Sequence, residues 1–197
     1  MNPLLTRLGV PADIQAFFNT AAELSFHYGD TSEHYSEDFH KVPTTANLWM
    51  AGEATASEVI VSYCAMEAIA FITINRQHYP ELEKLAFVAI GNKLQGEQVK
   101  WIREKFPKRK FTLVFGNDLL GQITDIKLAA GLKHIPLRIQ HSSGKVLINC
   151  LDKLRTFDED KITLHAFQLA FGLRGKIRTR KPIQTLTYLD QLKNDTY

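Results

Sequence analysis

The chain is predicted to be an α/β protein built on a Rossmann-like parallel sheet. A small N-terminal α/β lobe precedes this core, and a C-terminal hairpin-helix extension follows it. Three observations predict this class. Beyond residue 58, strand-like apolar runs alternate three times with segments of helical period, as in parallel sheets joined by right-handed crossovers. Two of these runs pass through a tight turn directly into a helix, and such sheets bind ligands outside the carboxyl ends of their strands. Residues 23–50 are instead rich in strand formers broken by turn residues, which suggests antiparallel pairing. The implied division is 1–56 for the lobe, 57–155 for the core and 156–197 for a helical, basic extension.

Pro11-Ala12-Asp13, followed by Ile14, Phe17 and Phe18, predicts a short helix with proline in its first turn. Gly29-Asp30-Thr31-Ser32 and Pro43-Thr44-Thr45-Ala46-Asn47 divide the next stretch into two or three short antiparallel strands. Residues 52–57 are small and polar, and read as a link. Strands are expected at 59–62, 85–90 and 111–115. The intervening helices are expected at 65–77, 95–106 and 118–130, the last with Leu119, Ile123, Ile126 and Ala130 at spacings of four, three and four. Runs at 135–140 and 145–150 flank His141-Ser142-Ser143-Gly144 as a hairpin. Asp158-Glu159-Asp160 is expected to cap a helix reaching Phe171, because carboxylates suit helix N-termini. A short helix at 186–192 closes the chain.

Composition excludes several classes. The 197 residues are 45% hydrophobic and 23% charged, which is ordinary for a globular protein. No apolar run approaches a membrane span. The N-terminus lacks the basic flank and apolar core of a signal peptide, so a cytoplasmic protein is expected. Two cysteines, Cys64 and Cys150, supply neither a disulfide framework nor a four-cysteine zinc site. The net charge of +3 hides an asymmetry: residues 1–99 carry 5 Lys/Arg against 12 Asp/Glu, and residues 100–197 carry 19 against 9. That polarity points to a polyanion-facing side.

The chemistry-bearing residues lie at the three strand exits, Tyr63-Cys64, Gly91-Asn92-Lys93 and Gly116-Asn117-Asp118, which a parallel sheet brings to one edge. The segments Tyr63-Cys64-Ala65-Met66-Glu67-Ala68-Ile69 and Gly116-Asn117-Asp118-Leu119-Leu120-Gly121 resemble the two signatures of the Toprim domain of primases, topoisomerases and related nucleases. Those signatures read Glu-Gly-x-x-Asp/Glu-Ala-Leu and Asp-x-Asp-x-x-Gly. The resemblance covers roughly residues 58–131. It implies a site where a glutamate and aspartates hold magnesium for phosphoryl transfer. Here Tyr63 stands at the metal-binding glutamate position and Gly116 at the first aspartate position. Asp118 and Glu67 remain as vestigial catalytic residues, and Asp118 is the one weak magnesium ligand. Two-metal clamping needs more anionic ligands than these. No cofactor is expected beyond weakly held magnesium.

Other readings attach to the same residues. Asp118 suits a helix cap, and Glu67 suits a partly buried acid paired with a cation. Tyr63 reads as a packed tyrosine with its hydroxyl satisfied, and Cys64 as a small residue in the turn. Asn92, Lys93 and Asn117 form a candidate anion site beside helix N-termini. His27, His34 and His40 match no compact zinc motif, and read as polar strand and turn residues. The cluster Lys105-Phe106-Pro107-Lys108-Arg109-Lys110 reads as a solvated loop at the opposite edge. Arg174, Lys176, Arg178, Arg180 and Lys181 are the candidate nucleic-acid-binding residues, with a solubilising tail as the alternative.

The expected function is that of a catalytically decayed Toprim-like protein, a nucleic-acid-binding or accessory module in primase-related DNA processing or mobile-element metabolism. Non-specific nucleic acid and a DNA-processing protein are its expected partners. The alternatives are a magnesium-dependent phosphodiester hydrolase or nucleotidyl transferase recruiting Glu67, Asp118 and Asp125, or a pure protein-interaction scaffold.

Overall fold

The computed structural model describes residues 1–20, 23–173 and 175–196. It is a mixed α/β structure whose centre is a five-stranded, mostly parallel sheet. Strands β5 (Glu58–Ser62), β6 (Leu85–Ala89) and β7 (Lys110–Val114) are parallel, with β5 between the other two. Their near-continuous apolar runs follow from burial on both faces. Alternation along each strand divides the side chains between two cores. Ile60, Phe87 and Ala89 face one core, and Val59, Val61, Ala86 and Val88 face the other.

Helix α3 (Ala65–Ile74) lies on the first face and is buried almost all round. Helix α1 (Pro3–Arg7), α2 (Ala12–Phe17) and the antiparallel sheet of β1 (Ser25–Tyr28), β2 (Thr31–Tyr35) and β3 (His40–Lys41) cover it from outside. That sheet is the antiparallel unit expected in the N-terminal stretch. Strand β4 (Trp49–Ala51) departs from it and joins the central sheet, antiparallel to β6. Helices α4 (Gly96–Lys105) and α5 (Leu119–Leu132) occupy the second face. The chain thus turns to opposite faces after β5 and after β7, and a topological switch point lies between those two strands.

Three C-terminal features differ from expectation. The hairpin of β8 (Leu137–Ser142) and β9 (Lys145–Cys150) is extended by β10 (Lys153–Asp158) into a three-stranded antiparallel meander. β10 is mostly exposed and polar, so no apolar alternation announces it. Its turn, Leu151-Asp152, has both residues at positive φ, as in a type I′ hairpin, without the usual Asn-Gly signature. Helix α6 (Leu164–Phe171) is capped by Thr163, not by the acidic run. Asp158 ends β10 opposite Lys145 and pairs with that lysine and with Lys161.

The basic stretch after α6 contains β11 (Ile177–Thr179), an edge strand parallel to β7. The parallel strands therefore run β6-β5-β7-β11, and the extension assigned to 156–197 contributes to the central sheet. Helix α7 (Tyr188–Thr196) packs on α3, with the Tyr188 and Phe71 rings edge-to-face at 5.1 Å. No helix among the described residues is long and apolar enough to cross a membrane.

Candidate functional site

The parallel register brings the three strand exits to one edge, as expected. Ser62 lies opposite both Ala89 and Val114, and the Gly91 amide donates to the Tyr63 carbonyl at 2.8 Å. In doubly wound sheets the switch point at this edge is the usual ligand crevice. Here the chain itself fills it.

Asp118 is the N-cap of α5, its Oδ1 accepting from the Gly121 amide at 2.7 Å. Gly121 is required by packing, since a Cβ there would lie 1.9 Å from the Gly116 carbonyl oxygen. Tyr63 is packed edge-to-face on Phe115 at 4.7 Å, and its hydroxyl meets Thr124 Oγ1 at 2.8 Å. Burial pushes its phenol up to about 12, which opposes a nucleophilic role. Cys64 caps α3, and burial pushes its thiol well above the usual range, aided by the nearby Glu33 and Glu67 carboxylates. A protonated, buried thiol is a packing group, not a reactive one.

Glu67 reaches the start of α7. Its carboxylate accepts from the Tyr188 amide at 2.6 Å and the Leu189 amide at 3.0 Å, so it caps α7. Burial nevertheless raises its pKa to about 7, against the two amide bonds that lower it. Glu67→Ala should loosen α7 by about 1–2 kcal/mol, the range for losing a helix cap. Hydrogen exchange at the Leu192 amide should then accelerate about five- to thirtyfold, since 1.4 kcal/mol is one decade. Unchanged exchange would show that packing on α3 alone holds the helix.

Lys181 lies at the exit of β7. Its ammonium lies 2.6 Å from Asp125 Oδ2 and donates to the carbonyls of Phe115 at 3.1 Å and Gly116 at 3.0 Å. The two carbonyls take two of the ammonium protons, and Asp125 Oδ2 is an ion-pair contact without hydrogen-bond geometry. Asp125 is 0% exposed; desolvation raises its pKa to about 7, with Lys181 opposing. The Asn117 amide donates to the Leu186 carbonyl at 2.8 Å, so the segment between β11 and α7 closes over the exit of β7. A Cβ on Gly116 would sit 3.4 Å from the same carbonyl oxygen.

Of the candidate anion-binding side chains, only that of Asn92 is engaged by the chain among the described contacts. The Asn92 amide nitrogens donate to Pro43 O at 2.9 Å (backbone) and Val42 O at 2.7 Å (side chain). Lys93 and the Asn117 side chain are exposed.

The basic cluster divides between exposed and inward-facing cations. Arg178 bonds Glu58 Oε1 at 2.6 Å and Thr112 Oγ1 at 2.8 Å from the outer face of β11. Lys181 is sequestered beside Asp125, Lys176 and Arg180 are exposed, and Arg174 lies outside the described residues. Lys176, Arg178 and Arg180 alternate along β11 and so share one face of that strand, while Lys181 is turned inward.

Glu33 is the site residue that sequence reasoning missed. It is 0% exposed, on the inward face of β2, and sits at the N-terminus of α3. One oxygen accepts from Tyr28 OH at 2.9 Å and the Ala65 amide at 2.7 Å. The other meets the Met66 amide at 3.1 Å and His40 Nε2 at 2.9 Å. Strand alternation was the available signal, because an inward Tyr35 places Glu33 inward too. Glu33, His40 and Cys64 offer ligand atoms within 4.8 Å of one another. Four hydrogen bonds already occupy the carboxylate, so the cluster serves as a helix cap. His27 bonds Ser32 and His34 is exposed, so neither joins His40 in the Glu33 cluster.

Compared with known proteins, the chain matches no family model, no curated protein and no solved structure.

Proposed function

We propose that this chain is a Toprim-like α/β protein without metal-dependent phosphoryl transfer, acting as a cytoplasmic nucleic-acid-binding accessory module in DNA processing or mobile-element metabolism. The observation that carries the loss of catalysis is Lys181. A lysine ammonium, held by Asp125 and the carbonyls of Phe115 and Gly116, lies at the exit of β7, beside the Gly116 position where a metal would need an anionic ligand. Asp118 and Glu67 each cap a different helix, so these two carboxylates do not face a common cation. The likeness to Toprim rests on the two strand-turn-helix segments meeting at this edge.

Nucleic-acid contact is then assigned to the opposite, amino-terminal edge of the sheet. Lys176 is exposed there beside Lys105, Lys108 and Lys110 of the loop between α4 and β7. Phosphate-backbone binding releases counterions, so log affinity should fall linearly with log salt, by about 0.9 per phosphate neutralised on duplex DNA. Replacing Lys105, Lys108, Lys110 and Lys176 with glutamine should flatten that slope. Fluorescence anisotropy with labelled DNA across a salt series measures both. Absence of binding at low salt would overturn the nucleic-acid reading. Magnesium-dependent nicking or primer synthesis lost on Asp118→Asn would overturn the decayed-centre reading.

A further inference from the structure

A cleft of about 540 Å³ opens at the amino ends of β7 and β11, far from the sealed crevice. It lies between the C-terminal ends of α4 and α5. Five cations line it, Arg103, Lys108, Arg109, Lys133 and Lys176, and no carboxylate does so among the described residues. Helix C-termini favour positive charge, and this accounts for part of the set. Arg103 donates to the Gly131 carbonyl of α5 at 3.1 Å, for example. It does not account for Arg109, whose Nε is buried without a hydrogen-bond partner. That nitrogen is closed to solvent, but the guanidinium carries four further N–H donors in a fixed fork suited to a phosphate. Lys108, on the rim, holds a positive φ of 61° that a lysine seldom adopts, which fixes the turn presenting Arg109.

The cleft also has an apolar wall, formed by Leu132 and Ile177 with Phe106 and Phe111 behind them. Concave sites of a few hundred Å³ with a mostly apolar lining and a few polar anchors suit small organic ligands. A convex duplex cannot enter such a space, and a bridging phosphodiester carries a single charge. A terminal phosphate monoester carries about −1.5 to −2 at neutral pH, with a second pKa near 6.

We propose that this cleft binds a nucleotide through its terminal phosphate, with Arg109 and Lys176 on the phosphate and the sugar and base against the apolar wall. The proposal rests on the reading of the amino edge as the nucleic-acid-facing side, and it gives that edge a specific ligand. A free mononucleotide and the 5′-phosphorylated end of a single strand offer the same chemistry.

The test is calorimetric titration of the full chain with AMP, adenosine, and short single-stranded oligonucleotides bearing a 5′-phosphate or a 5′-hydroxyl. AMP is expected to bind at least tenfold more tightly than adenosine. Arg109→Gln and Lys176→Gln should each weaken it about tenfold, with Arg109→Lys restoring part of the loss. Lys153→Gln, on the exposed strand β10, should leave it unchanged. A preference for the 5′-phosphorylated strand identifies a strand end as the source, and AMP binding without that preference identifies the free nucleotide. Equal binding of both oligonucleotides with no response to AMP would overturn the proposal and leave the backbone-binding reading standing. AMP binding with no oligonucleotide binding would uphold the cleft and overturn that reading. AMP affinity that survives both glutamine substitutions would remove the site from this cleft.

Discussion

Glu33→Ala should destabilise the protein by about 3–6 kcal/mol, summed over three buried donors left unpaired at about 1–3 kcal/mol each with some relaxation. Those donors are the Tyr28 hydroxyl and the amides of Ala65 and Met66, which also lose the anion at the positive end of α3. The carboxylate joins β2 of the N-terminal sheet to the first turn of a helix buried against the central sheet. Its removal therefore loosens a layer boundary as well as a cap. Urea unfolding at neutral pH measures the difference. Tyr28→Phe should cost only about 1 kcal/mol, because it removes one donor along with its need for a partner. A Glu33→Ala variant within 1 kcal/mol of the parent would mean that water or backbone movement replaces the carboxylate.

Lys181→Met should destabilise the chain by about 3–5 kcal/mol at pH 8, the cost of leaving a buried charge uncompensated. The pH dependence gives the sharper readout. Burial raises the pKa of Asp125 to about 7, above the ordinary 3.8, so the folded state holds its proton more firmly than the unfolded chain. Such a group contributes stability at low pH that is lost as the pH rises through about 7. Removing Lys181 takes away the one influence that lowers this pKa, so the loss should be smaller at pH 6, where the carboxyl can protonate, than at pH 8. Adding Asp125→Leu should recover most of the stability, as replacing a buried ion pair with apolar groups often does. Equal losses at both pH values, or no recovery in the double variant, would show that the pair is not electrostatically coupled as described.

The legible part of the fold was the repeated strand-helix unit. Val59–Val61, Leu85–Val88 and Phe111–Val114 are apolar enough to announce strands buried on both faces, and Asp118 announces the start of α5. β10 and β11 were not legible, for a common reason. Both are edge strands with polar, exposed side chains, and their backbones pair with neighbours that the local sequence does not identify. Arg178 illustrates the consequence. Among five clustered cations it reads as a phosphate ligand, but pairing of β11 with β7 sets it opposite Thr112, within reach of Glu58, 120 residues earlier.

The sequence by itself determined which residues form the central strands, which helices follow them, and that their turns meet at one edge. Local periodicity and capping chemistry are properties of short segments, and they survive without knowledge of the rest of the chain. Only the tertiary structure decided what that edge holds. Lys181 reaches Asp125, Glu67 reaches the start of α7, and Glu33 reaches the start of α3 across long sequence separations. A charged residue at a helix terminus or strand exit looks alike whether it awaits a ligand or meets a distant part of its own chain. Burial and the partner distinguish the two, and both are set by packing.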